Sequence, residues 1–166
     1  MPLDAVFDRS ARRHGRAFSP LAGVLAGEVA AVAYLAAQVL FAAFVQDGAA
    51  WLPLQRISAI LLGSDAVDAQ AQLNIQVAGM AMLVHFALAA VYGRFVDAAV
   101  RGRGGLPALV RGALVGLAIY AVNYWVLAPV AFPWFAQNRG ATTLLDHLLF
   151  GLVAAGVYTT LRQRLR

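Results

Sequence analysis

Four long apolar stretches run through the chain between shorter polar segments: Pro20 to Val45, Ile75 to Val96, Pro107 to Ala131 and Thr143 to Leu161. A membrane-crossing helix needs about 20 mostly apolar residues, so each stretch is read as one span. Ser19-Pro20 and Leu106-Pro107 put a proline where the first turn of a helix tolerates it, which sets how the first and third spans begin. Trp51 follows the first span, and Trp125, Trp134 and Phe135 close or follow the third, where amphipathic rings favour the membrane interface. In the long connection after the first span, residues 53–62 carry Leu54, Ile57 and Leu61 at helical spacing against Gln55, Arg56 and Ser58. That pattern predicts a short helix lying in the outer interface, with an ordinary packed loop as the alternative.

The polar segments then orient the spans. Every one of the 13 basic residues is an arginine, and all but Arg56 and Arg139 fall before the first span, around the connection between the second and third, or at the C-terminal end. Positive charge stays on the cytoplasmic side, so residues 1–19 are read as a cytoplasmic Arg-rich segment, 20–161 as the transmembrane domain and 162–166 as a cytoplasmic tail. The expectation is an all-α, four-helix transmembrane bundle in the bacterial inner membrane with both termini inside. The first apolar run is 26 residues long, too long for the about 7–15 residues of a signal-peptide core, and is read as a retained helix.

Composition agrees with this reading. Hydrophobic residues make up 61% and charged residues 13% of the chain, against about 45–50% and about 25% in soluble domains. A pI near 10.4 would point to nucleic acid in a soluble protein, but juxtamembrane arginines meet anionic lipid head groups instead, so the expected partners are lipids and no nucleic acid. The chain has no cysteine, which removes disulfides, thiolate metal sites and cysteine nucleophiles. None of the HExxH, GxSxG or GxxxxGK[ST] patterns occurs, so no catalytic residue and no enzymatic activity is expected.

Two short patterns repeat. Gly23-Val-Leu-Ala-Gly27 in the first span matches Gly112-Ala-Leu-Val-Gly116 in the third, and small residues at this spacing let helices approach closely. His85 in the second span and His147 in the fourth are each followed on their own face by a tyrosine, Tyr92 or Tyr158. The chain therefore reads as two copies of a helix pair, or as a chance recurrence of Gly- and Ala-rich motifs, and each copy would start on the same side.

Polar side chains within apolar spans are the candidates for function, since each needs a partner or an aqueous cavity. At about 1.5 Å of rise per residue, Tyr34, Gln38, His85, Asn123, Tyr124 and His147 all fall in the outer half, where they form one candidate ligand pocket. The histidines are read as interhelical hydrogen-bonding groups, as ligands clasping a haem, or as ligands of a mononuclear metal with Asp146 or Glu28. No metal or cofactor is assigned. Glu28, an intramembrane carboxylate, is expected either to relay a proton or to bond Arg111 or Tyr120 across a contact of the first and third spans. Asp146 is expected in the first turn of the fourth helix, where a carboxylate complements the exposed amides.

His85-Phe86, Tyr92-Gly93, Phe132-Pro133-Trp134-Phe135 and Asp146-His147-Leu148-Leu149-Phe150-Gly151, in this order along the chain, resemble a family of small uncharacterised bacterial four-helix membrane proteins. More distantly the chain is similar to the YagU inner-membrane proteins. The resemblance implies an inner-membrane location and, for the YagU relatives, an association with survival in acid. Three functions remain open: a module that binds or transports a small solute, ion or lipid, as a homodimer if it transports; a structural or stress-related accessory protein; and a redox subunit with haem between His85 and His147.

Overall fold

A computed structural model describes residues 20–45, 50–67 and 74–164. The expected N-terminal Arg-rich segment, residues 1–19, and residues 165–166 lie outside them. Helix α1 spans Pro20–Phe44, α2 Leu52–Leu62, α3 Ile75–Val100, α4 Gly105–Ala131, α5 Pro133–Ala136 and α6 Ala141–Arg164, and no strand occurs among the described residues. Helices α1, α3, α4 and α6 are long and apolar enough to cross a membrane. The protein is an all-α, multi-pass membrane protein. The spans differ from the sequence expectation mainly at the arginine-rich end: α3 runs on to Val100, α4 begins at Gly105, and α6 continues through Arg162 and Arg164, so this part of the expected tail is helix. Asn74 starts α3 by accepting the Val77 N–H on its side chain at 2.8 Å, and Gly102, at φ 75°, turns the chain between α3 and α4.

What is buried shows which solvent the fold is built for. The core is lined by Ala22, Ala26, Ala30, Ala31, Ala89, Ala108, Ala154 and Ala155, while Leu21, Leu25, Leu40, Phe95, Leu114 and Leu152 face outward. In lipid there is no hydrophobic gain in hiding a leucine, and small side chains let helix backbones meet. The four spans form a ring in which α1 adjoins α3 and α6, and α4 adjoins α3 and α6; α3 and α6 also touch across the middle.

Both expected glycine contacts form, each within a helix pair. Gly23 and Gly27 of α1 lie on Ala89, Gly93 and Asp97 of α3, whereas Gly112 and Gly116 of α4 lie on His147, Gly151 and Ala155 of α6. The two contacts share one spacing, so the pairs repeat with Gly93 matched to Gly151 and Tyr34 matched to Asn123. This register corrects the His–Tyr echo. His85 matches Thr143 and His147 matches Ala89, which leaves the two histidines one turn, about 6 Å of rise, out of step. The element that truly recurs is Tyr92-Gly93 against Phe150-Gly151. Because α1 and α4 stand at opposite corners of the ring, Glu28 does not reach Arg111 or Tyr120 as expected; its side chain is part-exposed on the flank of α1.

Helix α2 forms as expected and packs down on the bundle as a lid. Its buried side includes Gln55 and Ser58 beside Leu54 and Ile57, while Leu61 is 60% exposed, so the polar and apolar faces inferred from spacing are partly exchanged. The Ser58 hydroxyl is satisfied within the helix, donating to the Gln55 carbonyl at 2.8 Å. Trp134 of α5 ties this lid to the end of α4 by donating its indole N–H to the Arg56 carbonyl at 3.2 Å.

Candidate functional site

The six polar residues singled out in the spans, Tyr34, Gln38, His85, Asn123, Tyr124 and His147, line a single cavity of about 210 Å³ in the half of the bundle away from its arginine-rich end. Each of the four spans contributes. Ala89 and Phe150 form part of its wall towards the arginine-rich end, and Ile57 and Ile60 of α2 roof it. Tyr92, Phe132 and Phe135, not assigned to the pocket from sequence, complete an aromatic wall.

Local backbone geometry accounts for two adjacent residues reaching this space. Residues Val122–Leu127 form a π-helical turn in α4, in which the Ala128 N–H donates to the Asn123 carbonyl five residues back. Pro129 has no N–H to give the Trp125 carbonyl and its ring needs room there, so the widened turn immediately before it relieves both demands. Such turns re-aim side chains, and they recur at functional sites. Here Asn123 accepts the Tyr92 hydroxyl at 2.9 Å and joins α3 to α4, while Tyr124 is buried against His147 and Phe135.

Both imidazoles are oriented by backbone carbonyls. His85 Nε2 lies 2.9 Å from the Ala31 oxygen, and His147 Nδ1 lies 2.8 Å from the Thr143 oxygen. A carbonyl only accepts, so the facing nitrogen carries the proton in each ring. In the neutral tautomer this leaves His85 Nδ1 and His147 Nε2 as lone-pair acceptors. Tyr34 packs its ring on both imidazoles, at 5.7 Å from His85 and 5.0 Å from His147 between centroids. Its hydroxyl accepts from Gln38 Nε2 at 3.2 Å and stands 3.5 Å from His147 Nδ1.

A second, more polar crevice adjoins the first and shares Gln38, Tyr124 and Phe135 with it. Asp146 lies there with Arg56, Asn138 and Thr143. Since α6 begins at Ala141, Asp146 belongs to its second turn and not to the first as expected; its carboxylate meets the Gln38 amide. Gln38 thus links the crevice to the cavity.

The arrangement bears on the haem and metal readings. Haem between His85 and His147 would need the space that the Tyr34 ring fills against both, and the cavity is below the about 300–1,000 Å³ of sites that take drug-sized ligands. The residues present do not fit that group. For a metal with Asp146 or Glu28, no cluster of three or more His, Asp or Glu side chains suited to an ion forms among the described residues.

One polar centre escaped the sequence reading. Asp97 of α3 is 2% exposed and receives Arg94 and Arg101 on the same oxygen, each at 3.3 Å. It also hydrogen-bonds Tyr158 of α6 and packs on Gly23 of α1, so it fastens three spans at the arginine-rich end. No family model, curated protein or solved structure matches the chain.

Proposed function

We propose that the protein is a bacterial inner-membrane binding module that holds a small molecule in the cavity formed by all four spans, with both termini cytoplasmic. The observation that carries this reading is the convergence of Tyr34, Gln38, His85, Asn123, Tyr124 and His147 on one cavity. Polar groups used only as interhelical glue are expected to pair with one another and leave no room between them. Here the two histidines are anchored to carbonyls and keep an acceptor each. The arginine-rich end faces the cytoplasm on the positive-inside rule, which puts the cavity in the outer half of the membrane. Four spans are few for alternating access, so transport would require a homodimer.

Thermal unfolding in lipid nanodiscs against a panel of ions, solutes and lipids tests the reading. At least one class should raise the midpoint of the natural protein and lose its effect in Ala128→Phe, which fills the cavity from a wall position that is 1% exposed. A panel without any shift, together with a more stable Ala128→Phe, would leave these residues as bundle glue and favour the accessory-protein reading.

A further inference from the structure

The cavity is only partly enclosed, and α3 and α4, which pack less closely than the other adjacent spans, flank it. Tyr92 of α3 bonds Asn123 of α4, and one turn further from the arginine-rich end stand Leu88 and Leu127 on the same two antiparallel helices. Both leucines line the cavity and both also face outward, at 39% and 44% exposure. A slot between α3 and α4 would have them as its rim and would be closed on one side by the Tyr92–Asn123 bond. On the other side, α4 ends at Ala131, and the α2 lid covers the cavity with Ile57 and Ile60. The slot therefore faces the region that lipid chains occupy beside a spanning helix.

The lining selects chemistry. None of the described side chains around the cavity is Asp, Glu, Lys or Arg, and its walls are chiefly aromatic and aliphatic. A charged guest would find no counter-ion on the cavity wall itself. Beside the tyrosine hydroxyls and the Asn123 amide, the wall holds two histidines that each keep an acceptor, which suits a guest that donates hydrogen bonds. A volume of about 210 Å³ accommodates a ring-sized head and no long chain.

Building on the binding function above, we infer that the guest is an uncharged, lipid-soluble phenol or alcohol, with its hydroxyl-bearing head on His85 and His147 and its tail leaving through the Leu88–Leu127 slot. The tail makes this a ligand supplied by the bilayer.

The test uses the full chain in nanodiscs with para-hexylphenol as probe, para-hexylanisole as the same shape without a donor, hexyltrimethylammonium as the charged alternative, and para-cresol as the tailless phenol. Because the chain has no cysteine, Leu88→Cys with Leu127→Cys gives a unique pair that a short bifunctional thiol reagent straps together. At about a hundredfold excess over Kd, para-hexylphenol should raise the unfolding midpoint by roughly 5–10 °C, and para-hexylanisole should not. Strapping the slot should abolish the para-hexylphenol shift and leave that of para-cresol. Leu88→Trp with Leu127→Trp should act in the same way without a reagent.

A para-hexylphenol shift unchanged in both the strapped and the tryptophan proteins would overturn the side opening while binding stood. Equal shifts from the phenol and the anisole, or a shift from hexyltrimethylammonium alone, would overturn the ligand class and again leave binding intact. No shift from any probe would overturn this inference; the broader panel and Ala128→Phe decide the binding function separately.

Discussion

Gly116 lies directly on the backbone carbonyl of His147, so the closest approach of α4 and α6 and one polar centre of the cavity share a residue. The same close approach joins α1 to α3, where Gly27 lies on the Ala89 carbonyl and Ala89 lines the cavity. Tight backbone contact on the arginine-rich side of the cavity thus fixes the positions of its wall residues. Packing and site are one construction.

Adding even a methyl group at these contacts should be costly. Gly27→Ala, Gly116→Ala and Gly151→Ala each place a Cβ against a neighbouring backbone and should lower stability by about 1–3 kcal/mol, the range for overpacking. Gly79 meets nothing within 4 Å, and Gly79→Ala should be neutral or gain up to about 1 kcal/mol from helix propensity. Thermal unfolding in one detergent compares the four. Tolerance at all three contact positions would mean that the helices do not meet there.

Asp97 should matter for stability at the arginine-rich end. Asp97→Asn removes the charge from two arginine contacts and should cost roughly 1–2 kcal/mol, kept low because both arginines are part-exposed. Tyr158→Phe should cost less, and the two changes should be non-additive as neighbours that share a bond. Strict additivity in the double variant would separate them.

Topology follows from the placement of the arginines. Reporter fusions after Arg103 and Arg166 should report cytoplasm, and fusions between Ser64 and Ala71 or at Asn138 should report the periplasm. A periplasmic signal at Arg166 contradicts an even number of spans.

Much of this was legible because membrane spans announce themselves by length, and a polar residue such as His147 or Asn123 stands out against apolar neighbours. The π turn was not read, since its signal is the single Pro129 placed downstream of Asn123 and Tyr124. Gly93 and Gly151, the partners of the GxxxG pairs, are lone glycines, and only the packed helices show what they receive. Asp97 was hidden by its flanking arginines, which made it look like part of a polar connection. On α2, spacing correctly found a helix but misjudged its buried face, because Ser58 meets its hydrogen-bonding need internally and is free to go inside.

His85 and His147, from different helix pairs, line one cavity. In native membranes, the cysteine pair His85→Cys with His147→Cys, unique in a chain without cysteine, should be joined within one chain by a short bifunctional thiol reagent. The His85→Ala and His147→Ala changes should likewise be non-additive in stability, coupled through the Tyr34 ring that touches both. Failure to cross-link within a chain, together with strict additivity, would contradict the shared cavity.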